Sequence, residues 1–233
     1  MIDIHTHVLP FVDDGSSTVE ESKQMLLSAK EIGITDIVFT PHYRENCKKP
    51  IEKIVESFDL LKDYANEIGV KVYLGQEIKY GQDTKEKLIN GELLTLNDTK
   101  CVLVEFDSFV EEDISEAVYS LAAKGFIPIV AHLERYPYCL DFSEVIEIKN
   151  CGGLIQINAS AVIGKMGGKI KRFVAKLIKF GLVDFIASDV HSFRPNDMLQ
   201  ARLLIQKKFG EQVAQNLFEK HQQIMILSKK FAK

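Results

Sequence analysis

The sequence predicts an α/β fold in which seven strand–helix units form a parallel sheet closed into a barrel. Short β-branched apolar runs alternate with stretches of helical apolar spacing, and metal-ligand residue types follow the runs at their carboxyl ends. A length of 233 residues suits a closed barrel, while an open doubly wound sheet is the alternative. With 46% hydrophobic residues, one core can serve residues 1–233 as a single domain.

The strands and helices follow from apolar periodicity. The predicted strands are 1–7, 35–40, 70–76, 102–104, 127–131, 154–158 and 184–188. The predicted helices are 19–32, 51–68, 114–123, 142–148, 170–180 and 198–209. No linker-like run or internal repeat divides the chain.

The first strand carries the pair His5-x-His7. Side chains alternate along a strand, so Asp3, His5 and His7 are predicted to share one face, where both imidazoles can converge on one cation. An isolated pair of this kind is common, and support comes from five other strands. The ligand-type residues after those strands are His42, Glu77, Glu105, His132, Asp189 and His191. Because the carboxyl ends of barrel strands share one mouth, we expect a metal centre there.

The residue types limit which metals could bind and which phosphatase mechanisms are possible. Imidazole nitrogens mixed with carboxylate oxygens, without thiolates, are typical of manganese, iron or zinc rather than copper(I). The four cysteines lack C-x-x-C spacing and are predicted to be packing residues. None is followed by arginine six residues later, which excludes a thiolate phosphatase of the Cys-x5-Arg type.

Charge and hydropathy limit the partners. A net charge of −4 and a pI near 5.9 argue against a nucleic-acid-binding surface. No apolar run approaches the roughly 18 residues that a membrane-spanning helix needs. His5 lies too close to Met1 for a preceding signal peptide, so we expect a cytoplasmic protein without membrane insertion. The oligomeric state stays open.

Eight short motifs recur in order along nearly the whole chain. They are Met1-Ile-Asp-Ile-His-Thr-His7, Val12-Asp-Asp-Gly15 with Glu20-Glu-Ser22, Thr40-Pro-His42, Gly75-Gln-Glu77, Leu94-Thr-Leu-Asn-Asp98, Val104-Glu-Phe106, Ala131-His-Leu-Glu-Arg135 and Ala187-Ser-Asp-Val-His191. In this combination the chain resembles the PHP (polymerase and histidinol phosphatase) superfamily, and within it the manganese-dependent bacterial tyrosine phosphatases of capsule and exopolysaccharide synthesis.

The resemblance implies a distorted, TIM-like (β/α)7 barrel of PHP type with up to three manganese ions, with iron, zinc or magnesium as other possible metals. The implied ligands of one ion are His5, His7, Glu77 and Asp189. Glu77 resembles a carboxylate that bridges to a second ion, held with Glu105 and His132. Asp14, His42 and His191 are implied for the third.

The resemblance also implies catalytic roles for Arg135, Asp189 and His191. Arg135 matches a phosphate-contacting arginine, because a guanidinium can bind two phosphoryl oxygens, and Arg194 is a second substrate-binding candidate. An ion pair with Glu134 is the structural alternative for Arg135. Aromatic residues beside the predicted ligands either flank a substrate ring or only pack; they are Phe11, Tyr43, Tyr136 and Phe193.

Three functions stay open. The resemblance implies a protein-tyrosine phosphatase that acts on the phosphotyrosine tail of an autophosphorylating kinase controlling polysaccharide synthesis. A small-molecule phosphoesterase such as histidinol phosphatase is the second, although relatives with that activity usually carry a further histidine where this chain has Val12-Asp-Asp-Gly15. The third is a non-catalytic PHP binding domain. Loss of metal ligands would indicate it, and none is lost here.

Overall fold

The computed structural model describes residues 1–47, 49–192 and 194–223. Its strands are β1 (Ile2–Thr6), β2 (Asp36–Phe39), β3 (His42–Tyr43), β4 (Lys71–Leu74), β5 (Glu77–Lys79), β6 (Cys101–Glu105), β7 (Ile127–Val130), β8 (Leu154–Asn158) and β9 (Phe185–Ala187). Its helices are α1 (Val19–Glu31), α2 (Ile51–Glu67), α3 (Thr84–Ile89), α4 (Ile114–Ala122), α5 (Phe142–Asn150), α6 (Ala159–Ile163), α7 (Gly168–Lys179), α8 (Met198–Phe209) and α9 (Glu211–Gln215).

The predicted strand–helix alternation is confirmed. Each predicted element is present with ends that differ by at most two residues, while β3, β5, α3, α6 and α9 are additional. Helices α1, α4 and α5 begin where the side chains of Thr18, Asp113 and Asp141 accept a hydrogen bond from the first turn. Among the described residues, no helix combines the length and apolar character needed to cross a bilayer.

Alternate side chains of the strands pack into two apolar cores. On β6, Val102 and Val104 pack with residues of the helices, while Cys101 and Leu103 belong to a cluster built almost wholly from strand residues. That second cluster fills the inside of the curled sheet. Because side chains alternate, Glu105 continues the inner row of β6 and lies at its carboxyl end.

Two interruptions distort the sheet near the carboxyl ends of its strands. Pro41 separates β2 from β3, and proline has no N–H to continue the hydrogen-bond ladder. Gly75 separates β4 from β5, at a point where a Cβ would lie 2.6 Å from the Leu96 side chain. The strands therefore form two parallel sheets, β1-β2-β4 and β3-β5-β6-β7-β8-β9. In the second sheet His42 is the register partner of Glu77.

The first and last strands meet at a seam. The Ser188 N–H donates to the Asp3 carboxylate over 3.0 Å, and the Asp189 N–H donates to the His5 carbonyl over 2.9 Å. Asp3, predicted to share a face with His5 and His7, is the acceptor at this seam. The contact between the first and last strands confirms the barrel-type fold over the open doubly wound sheet.

Asp3→Ala should destabilise the protein by about 1–3 kcal/mol, because the Ser188 N–H loses its acceptor. Burial raises the pKa of Asp3, so Asp3→Asn, which keeps an acceptor and removes a buried charge, is the matched control and should cost less. Urea denaturation measures both free energies of unfolding. Equal losses in the two variants would contradict a role for this hydrogen bond.

Candidate metal centre

The carboxyl ends of the strands bring together all nine residues that the sequence predicts as metal ligands. Possible ligand atoms within 4.8 Å of one another form four overlapping groups: His5, Glu77 and His132; His5, His7 and Asp189; His42, Glu77 and Glu105; and His7, Asp14, His42 and His191. Each group shares at least one member with another, so the four make one continuous cluster.

Glu77 lies at the centre of this cluster and is fully buried. Its Oε1 is 2.7 Å from His132 Nε2 and 3.3 Å from His5 Nε2, and its Oε2 is 2.6 Å from His42 Nδ1. Burial alone would raise the pKa of Glu77, but His5 and His42 outweigh burial and hold this pKa well below its usual value. An ionised, buried carboxylate with imidazoles on both oxygens is suited to bridge two cations.

His5 and His7 direct their Nε2 atoms at the same point. His5 Nδ1 lies 3.1 Å from Gln156 Oε1, and His7 Nδ1 lies 2.7 Å from Asp13 Oδ2. Each Nδ1 faces an acceptor and therefore carries the proton in the neutral ring, which leaves each Nε2 as an acceptor. The two Nε2 atoms are only 3.2 Å apart, and both lie within 3.6 Å of Asp189 Oδ1. Converging lone pairs of this kind are typical of metal ligands.

Asp14 is on the solvent side of the cluster. Its Oδ1 lies 3.4 Å from His42 Nε2 and 3.5 Å from His191 Nε2, and its side chain is 62% exposed. The neighbouring Asp13 orients two of the predicted ligands: its carboxylate accepts hydrogen bonds from His7 Nδ1 and from the His42 N–H. The Asp14 carboxylate is therefore the ligand group that is open to solvent and to substrate.

Two residues of β8 hold ligands in position, and the sequence analysis missed both. Gln156 Oε1 accepts from the His132 N–H over 2.8 Å and faces His5 Nδ1. Its amide donates to Asn158 Oδ1, and the Asn158 amide donates to Asp189 Oδ2, each over 2.8 Å. Polar residues at alternate positions of the otherwise apolar run 154–158 were the available signal. Supporting contacts of this type orient imidazoles and tune their basicity.

Left-handed backbone at two positions redirects the ligands after β7 and β9. His132 has φ 33° and Asp189 has φ 51°. Non-glycine residues rarely adopt this conformation, and each instance costs about 1–3 kcal/mol. The cost is compatible with a fold that must turn both side chains towards Glu77 and His5.

Neighbouring charges set the protonation of the imidazoles. Burial lowers the pKa of His42, but Glu77 and Asp14 outweigh burial and raise this pKa to about 9. Burial and the nearby His7 lower the pKa of His191 to about 4, which keeps its ring neutral. Without metal, the protonated imidazole of His42 therefore supplies positive charge beside the buried carboxylates. A bound divalent cation would supply that charge in its place.

The donor set fits divalent cations. Glu105 Oε2 is buried without a hydrogen-bond partner among the described residues. It lies 3.9 Å from His42 Nδ1 and 3.7 Å from Arg44 Nη2. A buried carboxylate oxygen left in this way is costly unless a cation binds it. Imidazole and carboxylate donors without thiolate suit the borderline and hard ions expected from the sequence.

Three arginines surround the cluster. Arg135 Nη1 donates to Asp189 Oδ2 over 3.2 Å. The ion pair with Glu134, the structural alternative for Arg135, is therefore not the contact that this nitrogen makes. Arg194 Nη1 lies 3.6 Å from the same oxygen. Arg44, which the sequence analysis did not consider, lies 3.1 Å from His42 Nε2. All three side chains are between 36% and 43% exposed, so each can reach an anion at the mouth.

The four aromatic candidates separate by exposure. Tyr136 is fully buried and its hydroxyl contacts His132 Nδ1 at 3.1 Å, so of the two alternatives it is a packing residue. Tyr43 is only 7% exposed and hydrogen-bonds Glu45, which makes it a packing residue too. Phe193 lies outside the described residues. Phe11 is 61% exposed.

A parallel barrel whose mouth gathers five imidazoles and four carboxylates defines a protein able to bind several metal ions. The chain belongs to the CpsB/CapC family of capsular polysaccharide synthesis, whose family model matches residues 1–227. The family resemblance predicted from the motifs is therefore confirmed.

Named relatives cover most of the chain. A putative tyrosine-protein phosphatase CapC of Staphylococcus aureus is 34% identical and aligns with 89% of this chain and 84% of its own length. The tyrosine-protein phosphatase CpsB of Streptococcus pneumoniae is 36% identical over 94% of this chain and 95% of its own.

Solved structures resemble the fold. One from work on YwqE of Bacillus subtilis and CpsB of Streptococcus pneumoniae, described as unique metal-dependent tyrosine phosphatases, has a TM-score of 0.85 and 32% identity over 92% of this chain and 90% of its own. Histidinol phosphate phosphatase of Lactococcus lactis, at 16% identity, has a TM-score of 0.58 over 88% of this chain and 93% of its own. The second likeness concerns the fold alone.

Gly15→Ala should lower the uptake of divalent metal, because the new Cβ would lie 2.1 Å from the His7 carbonyl oxygen and displace the Asp13–Asp14 loop. Gly81→Ala is the matched control, since its Cβ would meet nothing closer than 3.7 Å. Titration calorimetry with manganese measures the affinities. Equal affinities in the two variants would disprove the need for this close approach.

Proposed function

We propose that this chain is a metal-dependent protein-tyrosine phosphatase. The observation that carries the proposal is the cluster around Glu77, in which nine imidazole and carboxylate side chains converge beside three arginines. Relatives with tyrosine-protein phosphatase names, at 32–36% identity over most of the chain, support the same reaction.

We assign up to three divalent ions to the cluster, with manganese the expected metal. The first ion would be held by His5, His7, Glu77 and Asp189. The Nε2 atoms of both histidines lie within 3.6 Å of each other and of an oxygen of each carboxylate. Glu77 Oε1 lies beside His132 and Oε2 beside His42, so Glu77 could also serve a second ion. Glu105 groups with His42 and Glu77, which supports its assignment as a ligand beside His42, while its pairing with His132 stays a prediction.

The third ion is assigned to Asp14, His42 and His191, and the position of His7 adds a fourth possible ligand. When bound, such ions acidify a water molecule and neutralise phosphoryl oxygens. Three divalent charges against four carboxylates leave a net charge of about +2, which favours a phosphate dianion.

The arginines bind the phosphoryl group. Arg135 and Arg194 both approach Asp189 Oδ2, so Asp189 aims two guanidinium groups at the same side of the mouth. A guanidinium donates two parallel hydrogen bonds to phosphoryl oxygens. Arg135 and the ligands Asp189 and His191 are the residues to which we assign catalysis.

Phosphate esters of tyrosine suit this site because the leaving phenol has a pKa near 10. It therefore needs less help from a proton donor than an alkyl alcohol does. The substrate we propose is the phosphotyrosine tail of a bacterial tyrosine kinase that controls capsular polysaccharide synthesis. We place the reaction in the cytoplasm, and the free thiols Cys139 and Cys151 are in the state that a reducing compartment maintains.

Purified protein with manganese should hydrolyse a phosphotyrosine peptide, and excess chelator should abolish the activity. Asp189→Ala should lose both metal and turnover, whereas Asp63→Ala, on the exposed face of α2, should keep both. Phosphate release and metal analysis provide the two readouts. Full metal content and full rate in Asp189→Ala would refute the assignment, and faster turnover of histidinol phosphate would favour the small-molecule alternative.

Arg135→Ala should retain metal and lose about 10²-fold in kcat/KM, the usual loss when one group that stabilises the transition state is removed. Arg172→Ala, an exposed position on α7, is the control and should leave the rate unchanged. Steady-state kinetics with metal content measured in parallel separate the two effects. A wild-type rate in Arg135→Ala would remove this residue from the reaction.

A further inference from the structure

Phe11 presents an exposed aromatic ring beside the metal centre. It precedes Asp13 and Asp14 by two and three residues, and these two carboxylates contact His7, His42 and His191. With about 3.8 Å between consecutive Cα atoms, the Cα of Phe11 lies within about 11 Å of the Cα of Asp14. A ring at that distance is in the neighbourhood of any group held at the mouth.

The backbone at Phe11 is in an unfavourable conformation. Its φ is 70°, in the left-handed region that a bulky side chain seldom occupies. The Phe11 N–H donates to the Ser16 carbonyl over 3.2 Å, and the Ser57 hydroxyl donates to the Pro10 carbonyl over 2.7 Å. These bonds hold the backbone at Pro10 and at the Phe11 N–H. Strain held in place by its surroundings is frequent at ligand-binding positions.

Space is available next to the ring. A cleft of about 310 Å³ extends from Phe11 along α2, with Leu60 and the lysines 49 and 53 among its walls. Leu60 is 53% exposed, and Lys53 is paired with Glu56 at 2.7 Å. Phe11, Val12 and Leu60 give this cleft an apolar part, which suits an uncharged ring.

We propose that the ring of Phe11 packs against the phenyl ring of the substrate phosphotyrosine while the phosphate occupies the metal centre. This inference rests on the proposed function. Among the aromatic candidates whose side chains the structure describes, Tyr43 and Tyr136 are buried, so Phe11 alone offers a free face. Aromatic pairs prefer offset-stacked or edge-to-face geometry, and an exposed ring on a fixed loop can supply either.

The test compares Phe11→Leu and Phe11→Gly with Phe180→Leu. Leucine keeps apolar volume but removes the ring, and glycine accepts the left-handed backbone, so at least one variant should keep its fold by circular dichroism. Phe180 is also 61% exposed and follows α7 just before β9, at the end of the barrel opposite the metal centre. It therefore controls for loss of an exposed phenylalanine.

Loss of the ring contact should raise KM for a phosphotyrosine peptide about 3- to 10-fold, in line with the strength of an aromatic pair, with kcat little changed. The inhibition constant of inorganic phosphate, which has no ring, should stay at the wild-type value. Phe180→Leu should match wild type in both measurements.

An unchanged KM in both Phe11 variants would overturn the inference. So would a parallel rise of KM and of the phosphate inhibition constant, because the loop would then act by positioning Asp14. A wild-type protein that binds manganese but cleaves no phosphotyrosine peptide would overturn the proposed function itself, and that outcome is recognised before any variant is made.

Discussion

The fully buried Glu77 carboxylate is the group on which the centre depends. An isolated carboxylate at that depth would be prohibitively costly to ionise, and the imidazoles of His5, His42 and His132 remove that cost by surrounding both oxygens. The same arrangement dictates much of the local fold. Register pairing of His42 with Glu77 requires the breaks at Pro41 and Gly75, and these breaks divide the barrel into two sheets.

Several features around Glu77 lower the stability of the fold. His132 and Asp189 occupy left-handed backbone, and Asp3 is a buried acid whose second oxygen lacks a hydrogen-bond partner among the described residues. Each feature opposes folding. The left-handed backbone of His132 and Asp189 places their side chains where a cation can use them. The two apolar cores on either side of the sheet supply the compensating stability, since strand residues such as Leu103 and Val104 are fully buried.

The sequence predicts well which side chains come together at the mouth of the barrel, because two regular rules apply. Parallel strands share a carboxyl end, and side chains alternate, so Glu105 and Asp189 follow inner-facing residues of β6 and β9. The supporting residues are harder to predict. Gln156 and Asn158 are amides on a strand without a ligand, and nothing in their spacing distinguishes a bond to His5 from one to water. Burial of Tyr136 depends on how distant segments pack, which local periodicity does not contain.

The seam between β1 and β9 gives the centre a second role. His5 and Asp189 come from opposite ends of the described chain, and their ligand atoms lie 3.6 Å apart. A cation held by both would act as a reversible cross-link between residues far apart in the sequence, restricting the unfolded ensemble as a disulfide does. Metal supply in the cell would then govern how long the folded chain survives proteolysis as well as how fast it turns over substrate.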